Sequence, residues 1–375
     1  MSLRSDAGER RCGTRSRGLL LSSRRTRAGL PSWGNEIWLK RGQRRFIGTI
    51  ASIAVISFIV TWILTLTSWP SALLIRAVFE QGGRATAAEM QKHVPDTALT
   101  EQLAVPLGDD ADDAGMTFDV YSPAGGDDPL PTVIWIHGGA WISGNSTNVD
   151  PYLRILAAEG YTTVGLNYTV GPEATYPTAV HQLNDALAFL DANAAEYRID
   201  ADRIVIAGDS AGSQLASQIA AMSTNPDYAD LVGIDPALDA DQLVGTILNC
   251  GVYDLDAMSE LTGIGAWGFK IALWGYTGTQ DWSQSPSGAL MSTVDFVTED
   301  FPTTFISGGN GDALTWLQSV PMRSALEAQG VDVTALFWPA DHEPALPHEY
   351  QFHLDSEEAQ EALTATIDFL GRVTG

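Results

Sequence analysis

In Arg203-Ile204-Val205-Ile206-Ala207-Gly208-Asp209-Ser210-Ala211-Gly212, an apolar run leads directly into a Gly-x-Ser-x-Gly motif, and this stretch decides the fold prediction. The apolar run predicts a buried strand, and the residues after Ser210 carry a helical pattern. A sharp strand-to-helix turn that presents a hydroxyl needs small residues on both sides, because the backbone at its centre is strained. Gly208 and Gly212 provide that space, so the segment predicts a nucleophile elbow with Ser210 as the nucleophile.

A second strand and glycine turn lie about seventy residues upstream. The apolar segment Thr132-Val133-Ile134-Trp135-Ile136 predicts a strand, and it leads into His137-Gly138-Gly139-Ala140-Trp141. Attack on an ester carbonyl places negative charge on one oxygen, which converging backbone N–H groups stabilise. We therefore expect an oxyanion hole whose donors are Gly138, Gly139 and Ala211. The alternative interpretation of the upstream motif is a simple tight turn.

Together the two motifs resemble the hormone-sensitive-lipase-like esterases and lipases of the α/β-hydrolases, over about residues 95–373. The segment from Asn167 to Pro177 resembles the family's Asp-Tyr-Arg-Leu-Ala-Pro-Glu motif, although Asn167 and Thr169 replace its acidic and basic members. Ala140 also stands where the commoner loop has a third glycine. The resemblance implies a triad in the chain order Ser, acid, His. Alternating strand and helix patterns independently predict an α/β fold with a mostly parallel sheet and helices on both faces.

The acid is predicted at Asp312. A strand pattern over Thr303-Thr304-Phe305-Ile306-Ser307 opens into Gly308-Gly309-Asn310-Gly311-Asp312-Ala313-Leu314, which resembles the family's Gly-x-x-Asp-Pro-Leu. Asp312 could also cap the helix that follows, and the two roles are compatible.

Two histidines compete for the role of base, since His342 and His348 both lie between the last predicted strand and the final helix. We favour His348, because His348-Glu349-Tyr350-Gln351-Phe352 resembles the family's His-Gly-Phe. His342 is flanked by acidic residues and a proline, which is more typical of a solvated loop.

A membrane-spanning helix is predicted near the N-terminus, because residues 46–75 contain no Asp, Glu, Lys or Arg. We place the span near Ile47 to Trp69, with Pro70 ending it. Residues 1–45 carry twelve Lys or Arg and three Asp or Glu, against nine and forty-three in residues 46–375. The positive-inside rule then predicts a cytoplasmic N-terminus and an extracytoplasmic catalytic domain.

These patterns divide the chain into four parts. We expect a basic cytoplasmic tail, partly disordered, over 1–45 and a transmembrane helix over 46–70. A linker that contributes a helix to the cap follows over 71–95. The hydrolase domain then occupies 96–375, with an apolar insertion around 254–300 that forms the rest of a helical cap.

The strongly acidic composition, with a formal net charge of −25, argues against nucleic-acid binding. The two cysteines, Cys12 and Cys250, fall on opposite sides of the predicted membrane span, so no disulfide is expected. No metal-ligand cluster or phosphate-binding loop is recognised in the sequence, and no cofactor is implied. The sequence does not predict an oligomeric state.

The resemblance implies a serine carboxylesterase or lipase that hydrolyses short to medium acyl esters through an acyl-enzyme. Two alternatives remain open. One is a deacetylase, arylformamidase or methylesterase on the same scaffold, and the other is a catalytically silent binding module.

Overall fold

The computed structural model describes residues 41–108 and 116–375. The chain divides into two units, residues 1–58 and 59–375. Most of the predicted basic tail, with Cys12, lies outside the described residues.

Helix α1 runs from Arg41 to Leu66 and is the single described helix that is long and apolar enough to cross a membrane. The prediction that Pro70 ends this helix is wrong. The helix ends four residues earlier, at Leu66, and Pro70 lies in the first turn of α2, Trp69–Met90. A first-turn N–H has no partner within its own helix, so proline is tolerated there.

The central sheet has eight strands in the order β1-β2-β4-β3-β5-β6-β7-β8. The pairs β1/β2 and β2/β4 are antiparallel, whereas all pairs from β4 to β8 are parallel. The strands are β1 Leu99–Pro106, β2 Thr117–Pro123, β3 Leu130–Ile136, β4 Thr162–Leu166, β5 Ile199–Asp209, β6 Leu243–Asn249, β7 Thr304–Gly308 and β8 Val333–Phe337. The predicted mostly parallel sheet is confirmed.

Successive residues of the central strands enter different cores, because side chains alternate between the two faces of a sheet. In β3, Ile134 and Ile136 pack into one core, and Val133 and Trp135 pack into another on the opposite face. Helices cover both faces, as expected for strands that are buried on both sides. These helices are α3 Asp150–Ala158, α4 Thr178–Ala192, α5 Ala211–Thr224, α6 Pro226–Val232, α10 Val320–Gln329 and α11 Glu357–Thr374.

A cap is formed by α2 and by helices of the segment between β6 and β7. That segment contains α7 Leu255–Met258, α8 Gly263–Thr277 and α9 Pro286–Met291. Ala72 and Ile75 of α2 pack in a small apolar cluster with Ala272 of α8 and with Ala140 and Ile142, which follow β3. The cap therefore contacts the glycine loop after β3 directly.

Gly212 offers a test of how closely α5 must approach β3. A Cβ at this position would collide with the carbonyl oxygen of Ile136 and the backbone of His137. We predict that Gly212→Ala lowers the free energy of unfolding by at least about 2 kcal/mol, through overpacking against backbone. Urea unfolding of the detergent-solubilised protein measures this change.

Gly371 provides the matched control. It lies within α11, and a Cβ added there would meet none of the described atoms within 4 Å. Gly371→Ala should therefore stabilise the protein by up to about 1 kcal/mol, because alanine favours the helix more than glycine does. Equal effects of the two substitutions would contradict the predicted close approach.

Candidate active site

Ser210 lies at a strained turn between β5 and α5. Its backbone has φ 51° and ψ −118°, a left-handed φ that non-glycine residues rarely adopt. A Cβ on Gly208 would lie 2.5 Å from the carbonyl carbon of Gly212, so both glycines are needed for the chain to fold back on itself. The turn is held to the neighbouring strand because Ser210 N–H donates to the carbonyl of Asn249 at 2.9 Å.

His348 bridges the Ser210 hydroxyl and the Asp312 carboxylate. Its Nε2 lies 2.9 Å from Ser210 Oγ, and its Nδ1 lies 2.7 Å from Asp312 Oδ2. With the proton on Nδ1, the imidazole donates to the carboxylate and accepts from the hydroxyl. The other oxygen of Asp312, Oδ1, accepts from Leu314 N–H at 2.9 Å, so the carboxylate is fixed by its own loop. The structure thus brings together three side chains that the sequence places far apart.

His342, the alternative base, has different partners. Its Nε2 lies 3.1 Å from Glu358 Oε1, and its ring packs against Trp338 with 4.5 Å between ring centroids. Its carbonyl accepts from the Asn310 side chain. These contacts orient His342 toward α11 rather than toward Ser210.

Cys250 was not expected near the site, yet its thiol contacts His348. It follows the last residue of β6, Asn249, which pairs with Asp209 in the sheet register and so places Cys250 opposite the serine turn. The thiol is fully buried, and burial raises its pKa, which favours the neutral form. Sheet register was the missing information, since the sequence alone predicted no histidine partner for Cys250.

The pKa of His348 lies well above its ordinary value. Burial by itself lowers this pKa, and the Asp312 carboxylate, which accepts a hydrogen bond from the imidazole and carries the opposite charge, raises it. The imidazole therefore binds its proton more tightly than a free histidine does.

The glycine loop after β3 corrects one predicted oxyanion donor. The N–H of Gly138 is not available, because it donates to Asp209 Oδ2 at 2.9 Å. Within the described residues, no protein acceptor is found for the N–H groups of Gly139, Ala140 and Ala211. The backbone is left-handed at three successive residues, with φ 103° at Gly139, 53° at Ala140 and 58° at Trp141. These φ values change the direction in which successive N–H groups point. In the glycine loop, the N–H groups free to bind an oxyanion are thus those of Gly139 and Ala140 rather than those of Gly138 and Gly139.

Asp209 and Glu349 form a pair of carboxyl groups beneath this loop. Asp209 is buried, and its Oδ1 accepts from Trp135 Nε1 at 2.8 Å. Burial and the nearby Glu349 raise the pKa of Asp209 well above its ordinary value. Glu349 has φ 58°, and it stands at the glycine position of the family's His-Gly-Phe. One of its oxygens lies 3.8 Å from His348 Nε2.

Arg76 of α2 braces the same loop, and sequence analysis did not identify it. Its Nε donates to the carbonyl of Ile142 at 2.5 Å, and its Nη2 donates to the carbonyl of Gly171 at 2.7 Å. Both terminal nitrogens also bind Glu173, at 2.6 and 2.5 Å. Gly171 N–H donates in turn to the carbonyl of Trp141. One guanidinium therefore joins the cap helix to two loops.

A cavity of about 340 Å³ opens above Ser210. Its floor includes Ser210, His348 and the glycine loop, and Phe269 of α8 contributes to its wall. The side formed by α2 combines Val78 and Phe79 with two glycines, Gly82 and Gly83, which leave room between the helix and the site. The size falls within the range of about 300–1,000 Å³ that is usual for small-molecule sites.

Comparisons with known proteins agree with this architecture. Residues 118–326 match the model of the BD-FAE family. Similar solved structures include esterase B from Lactobacillus rhamnosis, with 24% identity over 81% of this chain and 96% of that chain and a TM-score of 0.68. Another structure of that esterase contains a tributyrin phosphonate inhibitor. The Pyrobaculum calidifontis esterase has 21% identity over 81% of this chain and 94% of that chain, with a TM-score of 0.63. At these identities the likeness concerns the fold.

The raised pKa of His348 can be measured directly. We predict that its NMR titration midpoint lies above about 6.5, the ordinary histidine value. Asp312→Asn should lower this midpoint, because the imidazolium loses the carboxylate that stabilises it. An unshifted His348 midpoint in Asp312→Asn would contradict the interaction.

Proposed function

Because the chain belongs to the BD-FAE family of α/β-hydrolases, we propose that it is a membrane-anchored serine ester hydrolase for short to medium acyl esters. One observation carries this proposal: Ser210 Oγ, the His348 imidazole and the Asp312 carboxylate are joined by contacts of 2.9 and 2.7 Å. A serine hydroxyl is a poor nucleophile unless a base oriented in this way removes its proton.

In the proposed mechanism, Ser210 Oγ attacks the ester carbonyl carbon while His348 Nε2 takes the hydroxyl proton. Asp312 stabilises the resulting imidazolium through Nδ1–H. The tetrahedral intermediate collapses as the bond to the alcohol oxygen breaks, and His348 returns the proton to that oxygen. Water then attacks the acyl-enzyme by the same steps, which releases the carboxylic acid and restores Ser210.

The oxyanion is assigned to the N–H groups of Gly139, Ala140 and Ala211. This set replaces the one predicted from the sequence, because the Gly138 N–H is already bound to Asp209. Gly138 instead anchors the loop, so that the amides after it are free for the substrate oxygen. Each such donor typically contributes about 10²–10³-fold to kcat.

Two features favour short to medium acyl groups. The cavity of about 340 Å³ lies toward the lower end of the range for ligand sites. Its α2 and α8 sides carry the apolar side chains of Val78, Phe79 and Phe269. The tributyrin phosphonate bound by esterase B, a structural relative, is consistent with a short acyl chain.

Membrane anchoring is assigned to α1. Its 26 residues would extend about 39 Å at 1.5 Å per residue, which exceeds the bilayer core of about 30 Å. The twelve basic residues before the apolar segment favour a cytoplasmic N-terminus, which would leave the catalytic domain on the extracytoplasmic side.

Substitution of the two competing histidines tests the assignment. We expect Ser210→Ala and His348→Gln each to lower kcat for p-nitrophenyl butyrate by about 10⁴-fold or more, because the nucleophile or its base is lost. His342→Gln is the matched control and should retain activity within about twofold, since His342 contacts Glu358 instead.

A fluorophosphonate probe adds a second readout. It should label the wild-type protein and His342→Gln, but not Ser210→Ala. Full turnover by folded Ser210→Ala, confirmed by circular dichroism, would refute the proposed function.

A further inference from the structure

The outward face of α2 is apolar along its first half. Trp69, Leu73, Leu74 and Val78 are all exposed there, while Ala72 and Ile75 face inward and are buried. The first exposed polar side chain of α2 is that of Gln81. An apolar helix face usually packs against another apolar surface, because its exposure to water is unfavourable.

The neighbouring cap helix α8 extends this surface. Ile264 is 90% exposed and Trp267 is 47% exposed, and α8 packs against α2 through Ala272 and Ala72. We call this surface the apolar rim, and it consists of Trp69, Leu73, Leu74, Val78, Ile264 and Trp267. Elsewhere in described residues 67–108 and 116–375, the exposed large hydrophobic residues are Phe79, which lines the cavity, and the scattered Leu103, Leu231 and Trp316.

The apolar rim adjoins the cavity above Ser210 at Val78. Val78 belongs both to the rim and to the cavity wall, and Phe79 and Phe269 continue that wall from the same two helices. A substrate that reached Ser210 from this side would pass along apolar side chains.

Charge distinguishes the rim from the rest of the acidic domain. Residues 46–375 contain forty-three Asp or Glu, yet residues 69–79 and helix α8, Gly263–Thr277, contain none. A membrane surface that carries anionic lipids repels acidic residues. The rim is therefore a surface on which this acidic domain could approach such a membrane without that repulsion.

Chain connectivity favours a bilayer as the occupant of the rim. Only Thr67 and Ser68 separate the end of α1 from the start of α2, so the two helix ends are at most about 11 Å apart. If α1 spans a membrane, Trp69 must lie near its surface, where tryptophan is favoured.

We propose that the apolar rim rests in the surface of the membrane crossed by α1, and that the enzyme takes acyl esters directly from the lipid phase. The substrate class is then a bilayer-dissolved acyl ester whose carbonyl reaches Ser210 along Val78 and Phe269. This inference rests on the proposed ester hydrolase activity and membrane anchoring, and it adds the route by which the substrate arrives.

Charged substitutions on the rim test the route in the full-length protein reconstituted in lipid vesicles. Leu74→Asp and Ile264→Asp should each slow hydrolysis of monoolein in the vesicles at least about tenfold, because a carboxylate resists insertion. Neither side chain lines the cavity, so hydrolysis of water-soluble p-nitrophenyl acetate should stay within twofold. Leu231→Asp is the matched control, since Leu231 is 62% exposed and Leu74 is 63% exposed. It should change neither rate.

A second measurement reports docking without activity. In vesicles of brominated lipid, Trp267→Phe should reduce the quenched fraction of tryptophan fluorescence, whereas Trp316→Phe should not. The two side chains are similarly exposed, at 47% and 43%, but only Trp267 belongs to the rim. Equal changes in quenching would overturn the proposal.

The activity assay has two further decisive outcomes. Wild-type rates on monoolein in both rim variants, or an equal loss on both substrates, would also overturn the rim proposal. Failure of the wild-type protein to hydrolyse p-nitrophenyl acetate would instead refute the underlying hydrolase function.

Discussion

Asp209 lies between the strand that carries the serine and the two loops that complete the site. Its carboxyl group accepts from Trp135 and from the N–H of Gly138, and the nearby Glu349 helps to raise its pKa after burial, the larger cause. An isolated buried carboxylate would be destabilising by several kcal/mol, so these partners are required for the group to stay buried. Asp209 thereby fixes the N–H of Gly138, and with it the start of the glycine loop from which the N–H groups of Gly139 and Ala140 follow.

Helix α2 connects the site to the proposed membrane surface. Its inner face holds the glycine loop through Arg76, and its outer face carries the apolar rim. The same helix therefore contacts the glycine loop and, in the proposal, the membrane surface. Val78 and Phe79 of α2 and Phe269 of α8 also line the cavity above Ser210.

Local motifs predicted the parallel sheet, and they singled out the three side chains that meet at its edge. Ser210 and Asp312 each follow a recognisable strand, and the carboxyl ends of parallel strands share one edge. The prediction of the Gly138 N–H as an oxyanion donor is not supported by the loop geometry. Left-handed φ values at Gly139 and Ala140 decide which N–H groups are free, and no local sequence pattern encodes these φ values. Arg76 and Glu173 lie 97 residues apart, and Cys250 reaches His348 only through sheet register, so tertiary structure was needed to find these contacts.

The brace from Arg76 has a practical consequence for any soluble version of this protein. A fragment that starts near the first strand, at Leu99, would retain the serine, histidine and aspartate but would lose α2. The loop after β3 would then lack its guanidinium anchor, and the cavity would lose one wall. A boundary drawn between α1 and α2, at Thr67 or Ser68, removes the apolar helix α1 and keeps the contacts of Arg76.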